Sequence, residues 1–120
     1  VTFIYHIAAA ADWAQACQDG TYTISTRGRT LAEEGFIHTS TTGQVALVAN
    51  AFYRGEPDLL LLVIDPGRVQ EEIRYEHVPG QAQPYPHIYG PLNIDAVVQT
   101  RPFAPGPDGQ FSFAPPDDPG

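Results

Sequence analysis

"EEGFIHTSTTGQVALVAN", residues 33–50, decides the fold. Gly35 closes a short helical turn, "FIHT" at 36–39 favours a strand, and Thr41 or Thr42 caps a helix that follows at once. In that helix, expected over 41–54, Val45, Val48, Ala49 and Phe52 recur at helical spacing. A strand running through hydroxyls into a helix start is a place where ligands sit. The amides of the first helical turn have no partners within the helix, and the helix dipole favours an anion there. His38 stands at the end of this strand, with Ser40 and Thr41 beside the amides. Capping accounts for the hydroxyls and leaves the histidine unexplained.

Working outward toward the N-terminus, "TLAEEG" at 30–35 has the form of a capping box: Thr30 caps, Glu33 reaches back, and Gly35 stops the turn. "TFIYHI" at 2–7 reads as a strand, and "AADWAQACQD" at 10–19 as a helix with Asp12 as N-cap and Gly20 as its stop. Trp13, Ala16 and Cys17 share one face of that helix, and Cys17 is expected to be a small buried residue. "TYTIS" at 21–25 is a short strand and "TRGR" at 26–29 a basic turn.

Toward the C-terminus, "LLLLVID" at 59–65 is a central strand, and "EIRYEHV" at 72–78 and "DAVVQTRPF" at 95–103 are further strands. "PGQAQPYPHIYGP" at 79–91 holds four prolines and two glycines, which predicts a constrained loop. "PGPDGQFSF" at 105–113 carries an Asp-Gly turn signal for a closing hairpin, and 114–120 is a frayed, Pro-rich tail. The order of elements predicts one α+β domain over residues 1–113.

The 120 residues suffice for a core without staples, and 42% of them are apolar. Net charge is −8, with six arginines and no lysine. Such a chain repels nucleic acid and anionic membranes at long range, which makes a nucleic-acid partner unexpected. No apolar run reaches the length of a membrane span, and no signal-peptide pattern opens the chain. Its lone cysteine excludes an internal disulfide and agrees with a cytoplasmic setting. A small-molecule partner is the expectation, and the sequence does not give the oligomeric state.

Three of the four histidines carry the candidate chemistry. His6 shares a strand face with Ile4 and is either a surface residue or a ligand contact. His87, in "PYPHIYG", is held with Tyr89 in a Pro-rich frame, whereas His77 faces solvent. No HxH or HxxxH spacing occurs, so no metal site is expected. Walker, GxGxxG and GxSxG signatures are absent as well.

"LAEEGFIHTSTTGQVALVANAFYRG", "LLLLVIDPGRV", "IRYEHV" and "PHIYGPLNIDAVVQTRPF" resemble the bacterial domain-of-unknown-function family 952 (DUF952) over residues 3–103. That family is remotely similar to the ADP-ribosyltransferase fold. The resemblance implies a curved, split, mixed β-sheet with flanking helices and a cleft between its halves. "IYHI" matches the first motif of that fold and puts Tyr5 and His6 at an NAD-contacting position. "GFIHTSTTGQVA" is similar to the second motif, with His38 where many members have an aromatic residue. The third motif usually supplies a carboxylate; Glu76 is the candidate, and "HIYGPLN" offers none.

What the resemblance implies is an enzyme that handles NAD as substrate, a nucleotide or an NAD-derived phosphate, with no resident cofactor specified. His6, His38 and His87 would be its catalytic residues, Ser40, Thr41 and Tyr89 would contact the ligand, and Arg27, Arg29 and Arg74 would offer charge to a phosphate. Two alternatives stand beside it: a non-catalytic small-ligand-binding module, and a remodelled enzyme acting on another small molecule in biosynthesis. The common requirement is that the three imidazoles meet in one hollow.

Overall fold

The structure, a computed structural model, describes residues 2–115. Val1 and residues 116–120 lie outside the described residues, and with them most of the tail expected over 114–120. Alternation of bulky and β-branched side chains sets up β1 (Ile4–Ala9), and Ala-rich sequence carries it directly into α1 (Ala10–Asp19). Gly20 ends α1 in the left-handed conformation, with φ of 89°, as expected. Ala9, not Asp12, occupies the N-cap position, and it makes no side-chain cap bond. β2 (Thr21–Tyr22), β3 (Ile24–Thr26) and β4 (Arg29–Thr30) follow, the last two forming a hairpin around Arg27 and Gly28.

α2 (Leu31–Glu34) is the expected single turn with both halves of its capping box in place. β5 (Ile37–His38) leaves it. α3 (Val45–Phe52) begins four residues later than the threonines suggest. The Thr41 N–H is spent on Gln44 Oε1 at 2.9 Å and the Thr41 carbonyl on the Gln44 N–H at 3.0 Å, so residues 41–44 are a turn. β6 (Leu59–Ile64), β7 (Ile73–Glu76), β8 (Tyr85–Ile88), β9 (Leu92–Asn93) and β10 (Val97–Phe103) complete the chain.

Two three-stranded sheets organise these elements: β1-β6-β10 and β5-β8-β7, with β6 and β8 central. All pairings among the described residues are antiparallel, where the resemblance implies a mixed sheet. The sheets meet at one bridge, Tyr5 to Ser40, closed by two backbone hydrogen bonds of 2.8 Å.

β6 is apolar at every position because both of its faces are covered. Leu62 and Ile64 pack with Ile4 and Ala8 of β1, Ala16 of α1, and Ile37 and Ile88 of the second sheet. Leu61 and Val63 pack on the other face with Tyr5, Ile7, and Val45, Ala49 and Tyr53 along α3. The buried stripe of α3 thus runs through Tyr53, and Phe52 is exposed. Cys17 is exposed too, since α1 turns Ala16 and Trp13 toward the core.

β8 lies inside the stretch expected to be a loop. Pro86 is tolerated there because the N–H it lacks would face β5 just where that strand ends. Its carbonyl accepts from both the Thr39 N–H, at 3.2 Å, and the Thr39 hydroxyl, at 2.6 Å. The expected hairpin at 105–113 is a turn without paired strands. Asn50 of α3 substitutes for the missing strand: its side chain accepts from the Phe111 N–H at 2.8 Å and donates to the Phe111 carbonyl at 3.0 Å. Among the described residues no helix is long and apolar enough to cross a membrane.

Candidate functional site

A cavity of about 650 Å³ lies beside the bridge between the two sheets, with Tyr5 and Ser40 both on its lining. β1 brings Tyr5 and His6 to it, β5 and the segment after it bring His38 and Ser40, and the β3–β4 hairpin brings Thr26 and Arg27. Val48, Phe52 and Tyr53 of the α3 end form an apolar wall, and Gln81 and Tyr85 close the side nearest β8. The lining is thus apolar for the most part, with a few convergent polar groups, which is the usual make-up of a small-molecule site. No Asp or Glu among the described residues lines it.

His6 is 3% exposed, and both of its ring nitrogens are engaged. Nδ1–H donates to the His38 carbonyl at 2.6 Å, which fixes the tautomer, so the Tyr22 hydroxyl donates to Nε2 at 2.9 Å. Burial lowers the His6 pKa to about 4 and raises that of Tyr22. His6 is therefore a neutral pin that holds the backbone of His38, not a free surface imidazole.

His38 meets the cavity with its side chain 39% exposed. The β5–β8 register places it opposite His87, and the two ring centroids lie 5.2 Å apart. Glu34 of α2 reaches His38 Nε2 at 3.5 Å. Burial lowers the His38 pKa; Glu34 opposes that shift and His87 adds to it. His87 is buried and does not line the cavity. Its Nδ1–H donates to Glu76 Oε1 at 2.9 Å, and the Tyr89 hydroxyl donates to the same oxygen at 2.6 Å. The Tyr89 hydroxyl, then His87, holds Glu76 below the usual carboxylate range.

The three imidazoles therefore do not share one hollow. His6, beside Tyr22, and His38 both line the cavity, while His87, paired with His38 across two strands, does not. Nor do the arginines converge. Arg27 stands on the cavity wall and is paired with Glu56. Arg29 reaches Glu34 at 3.4 Å, and Arg74 is paired with Glu72 at 3.0 Å and lies over the Tyr89 ring. Thr41 is absorbed in its turn, and His77 is exposed, as expected. Thr26, Gln81 and Tyr85 are cavity residues without a signal at the sequence level, and Tyr53 is a fourth that the sequence reading missed. Tyr53 alone offered a signal, by continuing the stripe from Val45 and Ala49 at four-residue spacing.

The model of the family described as "Protein of unknown function (DUF952)" matches residues 7–100. A crystal structure of protein CC0527 from Caulobacter crescentus has a TM-score of 0.81 at 29% sequence identity, covering 92% of this chain and 94% of that one. The solution NMR structure of CC0527 gives 0.75 at 30% identity, covering 92% and 91%. No curated protein matches the chain.

Proposed function

Since the chain belongs to the DUF952 family, we propose that its members use the opening between the two sheets to hold a small ligand bearing phosphate, such as NAD, a nucleotide or an NAD-derived phosphate. The observation that carries this reading is the cavity itself. Its volume of about 650 Å³ lies in the range of roughly 300–1,000 Å³ common for small-molecule sites. Its walls offer ring-sized apolar surface from Val48, Phe52 and Tyr53. Hydrogen-bonding groups on Thr26, Ser40, His38 and Gln81 surround that surface, and among the described residues Arg27 is the only fixed charge on the lining. Once released from Glu56, Arg27 offers a partner to an anion on a lining that holds no Asp or Glu among the described residues, even in a chain of net charge −8. A cavity lined by residues of two sheets joined at one bridge supports an ADP-ribosyltransferase-like reading of the architecture, and a cytosolic setting suits such ligands.

In the enzymatic form of this reading, His38 contacts the reacting end of the ligand, His6 holds the His38 backbone, and Arg27 meets a phosphate after exchanging its bond to Glu56. A second reading, a non-catalytic binder, is favoured by one observation. Glu76 is committed to His87 and Tyr89, away from the cavity lining, so no carboxylate stands ready for an oxocarbenium-like centre.

Thermal unfolding with NAD, ADP-ribose and inorganic phosphate tests both. NAD or ADP-ribose at a hundred times its Kd stabilises the fold by about 2.7 kcal/mol and raises Tm. No shift with any of the three contradicts ligand capture. Release of nicotinamide from NAD then separates enzyme from binder.

A further inference from the structure

The face of the second sheet that turns away from the core carries two imidazoles side by side, each with its own carboxylate. His38 has Glu34, and His87 has Glu76. The His87 Nδ1–H is committed to Glu76, which leaves Nε2 without a partner. Among the described residues it is the one buried side-chain nitrogen or oxygen that lacks a hydrogen bond. Phe36 stacks on the His87 ring, with centroids 4.2 Å apart and planes 22° apart, and also meets the His38 ring edge-on at 4.7 Å. The buried ring is thus screened from water on the Phe36 side, and its nearest imidazole is His38, which opens on the cavity.

We propose that His38 and His87 act as one coupled proton site, in which His38 is the base that takes a proton from a hydroxyl of the bound ligand and His87 is a positioning residue that governs when His38 is free to do so. The role of His38 rests on the cavity being the ligand site. In that step the O–H bond of the ligand breaks and its electron pair stays on oxygen. The proton goes to the His38 ring nitrogen that Glu34 leaves free. The ligand class is accordingly one with an accessible hydroxyl, as on a ribose or a simple alcohol. Two imidazolium ions at this separation repel, so a proton on one ring disfavours a proton on the other.

The charged and titratable groups around the pair are few. Glu34 comes from α2 with Arg29 of β4 behind it. Glu76 and Arg74 come from β7, Arg74 being paired with Glu72, and Tyr89 follows β8. His6 of β1 touches the pair only through the His38 carbonyl. The lowering of the His38 pKa, by burial and by His87, agrees with a ring kept unprotonated.

The test is NMR titration of the histidine ring signals in the full chain without ligand. In the unaltered protein the His38 signal is expected to titrate below the ordinary imidazole range. In His87→Gln the His38 curve is displaced to higher pH. A structural role for His87 alone would alter stability and leave the His38 titration in place. A His38 signal that titrates at or above the ordinary imidazole range in the unaltered protein overturns the proposal, and that measurement decides even where His87→Gln fails to fold. Because no ligand is present, the result is separate from the Tm experiment: a Tm shift with uncoupled rings keeps the cavity reading and removes this one.

Discussion

His6 shows how one buried ring ties stability to pH. Its pKa in the folded protein, about 4, lies below the ordinary 6.5 because burial disfavours the charged form. Between those values the unfolded chain binds a proton that the folded chain does not. Stability contributed by the neutral ring is therefore complete above pH 6.5 and declines as pH falls toward 4. The full span amounts to at most about 3 kcal/mol. Urea unfolding at pH 7 and pH 4.5 is expected to show the loss, and His6→Gln is expected to be less stable at pH 7 and to lose less on acidification. An equal loss in both proteins would assign the effect to other groups. The sequence shows that His6 shares a face with Ile4 but not that both faces of β1 are covered, since coverage comes from α3 and from the distant second sheet. His38 is legible, because a strand running into hydroxyls marks it. His87 is legible only as a residue in a stiff frame; its carboxylate partner comes from β7 through strand register.

At the scale of elements, local chemistry wrote α1, the α2 capping box and β6 plainly into the chain. α2 is decided by Thr30 and Glu33, and β6 by an unbroken apolar run that only a strand covered on both sides can use. α3 begins later than expected because Gln44, rather than a threonine, closes the turn ahead of it; its side chain also donates to the Pro84 carbonyl at 2.9 Å. β8 was hidden by its prolines, and only the end of β5 at Thr39 makes Pro86 acceptable. The C-terminal segment docks through Asn50 in place of a hairpin. Asn50→Ala leaves two backbone groups of Phe111 without partners. It is expected to lower stability by about 2 kcal/mol and to hasten proteolysis beyond Phe103, with α3 intact by circular dichroism. Unchanged proteolysis would mean that Phe111 and Phe113 hold the segment by packing alone.

At the scale of the molecule, the cavity is lined by residues of both sheets around their one bridge, Tyr5 to Ser40. Neither residue announces that pairing in the sequence, where they lie far apart, and so the placement of Thr26, Tyr53 and Tyr85 around one cavity was not legible. The central claim is that this opening captures a phosphate-bearing small molecule. Mapping amide chemical shifts during titration with ADP-ribose tests it most directly. The account predicts saturable changes gathered at Thr26, Arg27, His38, Ser40 and Tyr85, weakened in His38→Ala while the fold persists. Changes absent at saturating ADP-ribose, or gathered on the outer surface of α1 and β10, would contradict it.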